Sequence, residues 1–167
     1  MKNILLLILF IPFFLGCDSQ NDVIYKGYNN MCDRQPSSLS CSQHEDTGRI
    51  PSYSDVHALR LEALTNFRYV SDQSQYGVED YWTDGITTST ITYGDCEDIA
   101  ITFASQLMLD GVKPSAIRLV MSGDEGGVKH AYTIVKLDDG TIYNFYKHNL
   151  YVDIMYMQYD NIGVFLK

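Results

Sequence analysis

Four cysteines and four histidines carry most of the reactive chemistry of this 167-residue chain. Cys32 and Cys41 flank the polar stretch Asp33–Ser40, which contains Pro36 and three serines. Two thiols closing across such a stretch read most simply as a disulfide that staples a weakly structured segment. A metal pair would need a further Cys or His cluster, and none lies nearby in the sequence. Cys17 ends an N-terminal apolar run and is treated below. That leaves Cys96, in Tyr93-Gly94-Asp95-Cys96-Glu97-Asp98, as the thiol open to chemistry. A helix starting at Cys96 would present free N–H groups and positive potential, which stabilise a thiolate and an oxyanion. His130, on a later strand, is placed to serve as the base of a papain-like Cys–His pair. Spacing alone also fits a buried, inert cysteine. Asp95 and Glu97 flank the thiol, and like charge raises a thiol pKa. The two carboxylates suit a hard, oxygen-seeking cation, and they equally suit the first turn of a helix.

The elements that must position these groups are legible from periodicity. Ser54 is a candidate N-cap for a helix with Val56, Leu59, Ala63, Phe67 and Val70 on one face. Residues 71–95 show turn chemistry and aromatics (Tyr76, Tyr81, Trp82) without a period. A second helix begins near Cys96, with Ile99, Ala100, Phe103, Ala104 and Leu107 on one face; Gly111 ends it and Pro114 prevents its return. Ile117–Met121 reads as a strand. His130–Leu137 and Thr141–Tyr146 alternate around Asp138-Asp139-Gly140, a hairpin signal. Tyr151–Tyr159 is a further strand candidate. Helices first and an antiparallel sheet after predict an α+β class. If Asp138–Gly140 is the loop, residues whose numbers add to 278, such as 137 and 141, face each other. That register sets Asn144 opposite Ile134 and His148 opposite His130.

Three stretches in order carry a resemblance: Phe67-Arg68-Tyr69-Val70-Ser71-Asp72, Tyr76-Gly77-Val78-Glu79-Asp80-Tyr81-Trp82 and Gly94-Asp95-Cys96-Glu97-Asp98-Ile99-Ala100. With Leu109-Asp110-Gly111-Val112 and His130-Ala131, they resemble the bacterial transglutaminase-like cysteine proteinases over about residues 55–150. The best-known members are LapG-type periplasmic proteases, which cut large adhesins and release biofilm cells. The resemblance implies a papain/transglutaminase-like core, with a helix bearing the Cys packed on an antiparallel sheet bearing the His. It implies Cys96 as nucleophile and His130 as general base and acid. The family's third residue is Asp in Asp-Asn-Leu; this chain has His148-Asn149-Leu150 there. The register favours His148 as the orienting residue, ahead of Asn149 and Asn144. The resemblance also implies calcium at Asp95 and Glu97, with Asp72, Asp80 and Asp84 as additional candidates.

Composition bounds the setting. Twelve Lys+Arg against 21 Asp+Glu give a formal charge of −9, which repels phosphate backbones, so no nucleic-acid partner is expected. Met1-Lys2-Asn3 followed by Ile4–Leu15 has the form of a signal peptide and is too short for a membrane span, which takes about 20 residues. Phe14-Leu15-Gly16-Cys17 resembles a lipobox with Cys17 as the lipidated residue, although Phe14 departs from the usual Leu. The expected organisation is a signal peptide over 1–16, a lipid tether and disulfide-tied extension over 17–50, and a cysteine proteinase domain over 51–167. The leading function is an exported, periplasmic cysteine endopeptidase acting on a protein substrate, held to the membrane by an N-terminal lipid. The alternatives are a cross-linking or deamidating transglutaminase-like enzyme, or a catalytically degenerate binding lipoprotein.

Overall fold

A computed structural model describes residues 20–42, 44–85, 93–124 and 127–145. The expected strand Tyr151–Tyr159, together with Cys17, His148 and Asn149, lies outside the described residues. Helix α1 spans Gln20–Arg34, and helix α2 spans Tyr53–Asn66. The short strand β1, Arg68–Tyr69, leads into the single-turn helix α3, Asp72–Gln75. Strand β2 is Tyr93–Gly94 and helix α4 is Cys96–Leu109. Strands β3 (Ile117–Asp124), β4 (Gly127–Lys136) and β5 (Ile142–Asn144) follow. The arrangement is α+β, with a three-stranded antiparallel sheet ordered β3-β4-β5 and a parallel β1-β2 pair.

The N-cap of helix α2 is Ser52, two residues before the expected Ser54. Ser52 accepts from Asp55 N–H at 3.3 Å, and the Asp55 carboxylate accepts from Ser52 N–H at 3.2 Å. This reciprocal box needs an acidic residue three positions on, which Ser52 has and Ser54 lacks. The helix also ends at Asn66, so Val70 is not on its face. The run Phe67–Val70 is aromatic and β-branched. It extends instead and pairs with β2, with Val70 N–H donating to Gly94 C=O at 2.7 Å.

Helix α4 buries Ile99, Ala100, Phe103, Ala104 and Leu107, the expected face, together with Ile101 and Ser105. Gly111 stops it at φ 79°, a conformation glycine adopts without a Cβ penalty. The helix packs on β4 and β3. Strand alternation turns Ala131, Thr133 and Val135 towards it, while Tyr132 and Ile134 form a second cluster with Val120 on the opposite face. Phe103 and Phe145 meet with ring centres 4.7 Å apart. The hairpin pairs Ile134 with Asn144, Val135 with Tyr143 and Lys136 with Ile142, the register in which paired numbers add to 278.

The polar segment before residue 50 also joins this core. Tyr28 and Met31 of α1 are buried in the main cluster, and a disulfide links Cys32 to Cys41. His44 and His57 are both half-buried. His44 Nε2 lies 2.6 Å from Leu39 C=O, and His57 stacks on Tyr53 with its Nδ1 3.1 Å from Tyr143 OH. Local patterns do not reveal the His57–Tyr143 contact, which spans 86 residues.

One buried bond stitches sheet to helix. Thr133 Oγ1 donates to Ala100 C=O at 2.6 Å. Thr133→Val keeps the shape and deletes the donor, so chemical denaturation should show a loss of about 1 kcal/mol.

Candidate active site

Cys96 is the first residue of α4, and the turn before it is tightly specified. Asp98 is fully buried and works in two directions. Its Oδ2 accepts from Asp95 N–H at 3.2 Å. Its Oδ1 accepts from Thr83 N–H at 2.7 Å and from Thr83 Oγ1 at 3.0 Å. Gly94 must lack a side chain here, because the Asp98 carboxylate fills the space a Cβ would take. The thiol donates to Glu97 Oε2 at 3.2 Å, and a backbone hydrogen bond from Ala131 also reaches it. Ala131 directly follows His130, so the strand that carries His130 lies against the sulfur.

The thiol packs against the core cluster that includes Ala131 and Val135, the face of β4 turned towards α4. Two contacts then fix the helix along the strand. Cys96 to Ala100 is about 6 Å along a helix, and Ala131 to Thr133 is about 6.6 Å along a strand. Both contacts are met because α4 and β4 run side by side in the same direction. The His130 ring is half-buried, 6.1 Å from the Tyr132 ring centre. Burial lowers its pKa, which favours the neutral imidazole that a base requires.

Carboxylates crowd around the helix start. Asp95, Glu97, Asp98 and Asp72 are all buried. Asp72 N–H donates to Asp95 Oδ2 at 3.4 Å, and Tyr81 N–H donates to Asp72 Oδ2. Ligand-type atoms gather within 4.8 Å of one another in three overlapping groups: Asp95 with Cys96 and Glu97, Asp72 with Asp95 and Asp98, and Asp72 with Asp80 and Glu97. Buried oxygens Asp72 Oδ1 and Asp95 Oδ1 have no hydrogen-bond partner. Buried carboxylate oxygens are normally satisfied. Unsatisfied ones converging with further carboxylates form a donor set that fits a hard divalent cation. Asp84 does not join this set; its Oδ2 accepts from Ser38 Oγ and Ser105 Oγ.

The electrostatics reflect this crowding. Burial first, and then neighbouring negative groups, push Asp72 up to about 6 and Asp98 to about 7. Burial and the adjacent Asp95 raise Glu97 well above the usual carboxylate range. Burial and Glu97 push the Cys96 thiol up to about 12.

A family model described as bacterial transglutaminase-like cysteine proteinase matches residues 20–158. The chain belongs to this family. Among curated proteins, none matches it. The proteinase is therefore a cysteine peptidase of the transglutaminase-like superfamily, and its substrate is a protein.

Of the residues read from sequence, the structure brings Cys96, Asp95 and Glu97 together and sets the thiol beside the His130–Ala131 strand. Asn144 lies on β5 opposite Ile134, buried, four residues along β4 from His130. Asp98 is the residue whose role the sequence reading missed. The signal was present, because an acidic residue three positions after an Asp N-cap is a capping-box pattern.

The raised carboxylates carry a pH dependence for the chelator-treated proteinase. A folded-state pKa above the unfolded value means the folded state holds more protons, so stability falls as pH rises. The destabilisation is absent below the ordinary carboxylate range and grows as Asp72, Asp98 and Glu97 lose their protons. Melting temperature measured in chelator should therefore decline from pH 5 to pH 9. Asp98→Asn should flatten the part of that decline below about pH 7 and leave the part above it, which belongs to Glu97.

Proposed function

We propose that the chain is an exported endopeptidase that cleaves its protein substrate through a Cys96–His130 thiolate mechanism, with a calcium ion held beside the nucleophile. The observation that supports this reading is the thiol on the first residue of α4, hydrogen-bonded at Ala131, one peptide from His130. His130 takes the proton from Cys96 Sγ, and the thiolate attacks the scissile carbonyl carbon. The oxyanion that forms meets the free N–H groups of the helix start. His130 then returns its proton to the leaving amine, which departs and leaves a thioester on Cys96. Water, losing a proton to His130, hydrolyses the thioester and restores the thiol. His148 orients the imidazole in this reading, on the register that sets it opposite His130.

Asp95, Glu97 and Asp72 would hold the calcium, with Asp80 and Asp98 behind them. When bound, the ion supplies positive charge that offsets these carboxylates and favours the thiolate. The N-terminal run and Phe14-Leu15-Gly16-Cys17 support export and lipid attachment at Cys17, which would place the enzyme at the periplasmic face of a membrane. The resemblance to LapG-type proteases supports a large surface adhesin as substrate.

Two experiments test the reading. Cys96→Ser and His130→Ala should each abolish hydrolysis while leaving melting temperature near that of the parent. His148→Ala should cost less than either, and survival of activity without Cys96 or His130 would overturn the mechanism. For the cation, calcium added after chelation should raise melting temperature and restore activity. Stabilisation of about 2.7 kcal/mol follows at a hundredfold excess over Kd. Magnesium should substitute poorly, because it demands tight octahedral geometry. Asp95→Ala should remove the calcium response, and an unchanged response would refute the assignment.

A further inference from the structure

A second buried polar network forms at Asp84, next to Thr83 in the Tyr81–Asp84 loop. Asp84 is fully buried, and its Oδ2 accepts from Ser38 Oγ at 2.6 Å and from Ser105 Oγ at 2.7 Å. Ser40 Oγ meets Ser105 Oγ at 2.9 Å, and Asp84 N–H donates to Gln35 Oε1 at 2.9 Å. Next to these, Arg34 Nη2 donates to Trp82 C=O at 2.8 Å, with its guanidinium 3.8 Å above the Tyr81 ring. Gly27 of α1 leaves no space for a Cβ, which would stand 2.8 Å from the Trp82 ring.

Gln35, Ser38 and Ser40 all fall between Cys32 and Cys41, nine residues apart and joined by the disulfide. The same loop is bonded to the nucleophile's turn, through Thr83 to Asp98 and from Asp98 to Asp95 N–H. A continuous path of hydrogen bonds and covalent links therefore runs from the disulfide loop to the residue before Cys96. Buried polar groups of this kind tolerate little displacement, because each lost partner leaves a desolvated atom unsatisfied.

We propose that Ser38 and Asp84 are positioning residues for proteolysis: the disulfide-closed segment presses on the Tyr81–Asp84 loop and, through Thr83 and Asp98, holds the turn that carries Cys96. The inference rests on Cys96 being the nucleophile. Closing Cys32–Cys41 restricts the conformations of the segment before it docks, so the hydroxyls of Ser38 and Ser40 arrive preorganised. With the two thiols uncoupled, the segment must be ordered by its hydrogen bonds alone. The loop and the helix start then fluctuate together, while the β3–β4 hairpin has no bond in the path.

The test compares the full chain with Ser38→Ala, Asp84→Ala, Asp84→Asn and the double variant Cys32→Ser/Cys41→Ser. Hydrogen–deuterium exchange is read over 80–85, 93–99 and the β3 segment 117–124. Hydrolysis of reduced, carboxymethylated lactalbumin is followed in parallel. Exchange should accelerate at 80–85 and 93–99 in Ser38→Ala, Asp84→Ala and the double variant, and remain unchanged over 117–124. Their kcat should drop about tenfold or more, with KM held within about twofold. Asp84→Asn should recover most of both losses, because an amide oxygen accepts the same two hydroxyls. Exchange that rises uniformly, or kcat retained in Ser38→Ala or Asp84→Ala, would overturn the proposal. If the double variant does not fold, Ser38→Ala with its disulfide intact decides the question. If the parent cleaves no lactalbumin, exchange decides the positioning role, and mass-spectrometric labelling of Cys96 by iodoacetamide separately tests the nucleophile.

Discussion

The buried carboxylate of Asp98 is the constraint on which the catalytic end of this molecule depends. One oxygen satisfies the N–H of Asp95 and the other satisfies the N–H and hydroxyl of Thr83. A helix start leaves several N–H groups without intrahelical partners, and here one side chain both caps the helix and anchors the loop that lies over it. The residue just before the cap must be glycine because the carboxylate occupies its side-chain space. Cys96 follows immediately, so its position is set by hydrogen bonds to buried groups rather than by the conformational preferences of its own neighbours. A cysteine at an ordinary exposed helix start would have the same dipole and none of this rigidity.

That anchoring comes with an electrostatic cost. The buried carboxylates of Asp72, Asp95, Glu97 and Asp98 stand against the burial rule for charged groups, and burial holds Asp72, Glu97 and Asp98 above the usual carboxylate range. A chain under selection for stability alone would place apolar side chains there, as it does one turn later at Ile99, Ala100 and Phe103. The first turn of α4 serves chemistry and the remaining turns serve packing. The boundary between them falls at Ala100, whose carbonyl accepts the Thr133 hydroxyl. The same bond locks the helix in place along β4, so the polar and apolar halves of the helix share one reference point.

The sheet uses both faces. Ala131, Thr133 and Val135 face α4 and seal the core, and Tyr132 and Ile134 serve the second cluster. Cys96 packs against the α4-facing cluster, beside the strand bearing His130. The N-terminal segment completes the arrangement, since α1 and the disulfide loop close over Tyr81–Asp84. The family match, which begins at residue 20, includes this segment.

Local signals in the sequence were enough to place the helix start at Cys96, its end near Gly111, the hairpin around Asp138–Gly140 with its register, and the pairing of Cys32 with Cys41. Each depends on residues within a few positions of one another: a cap, a left-handed glycine, a turn and a period. The helix ending at Asn66 rather than continuing to Val70 was not legible, because the competing partner, Gly94, lies far along the chain. The same non-local pairing carries Asp72 to Asp95, 23 residues away, and so makes a pair of flanking acids into an enclosed donor set. Asp84 shows the converse. From sequence it stood with Asp72 and Asp80 as one more acid in a loop, yet its carboxylate points away from them to two buried hydroxyls, Ser38 and Ser105. Chain spacing specifies which residues can bond along a helix or across a turn. Which side of a loop a carboxylate faces depends on what packs against each side, and here that is settled by segments 21 and 46 residues distant.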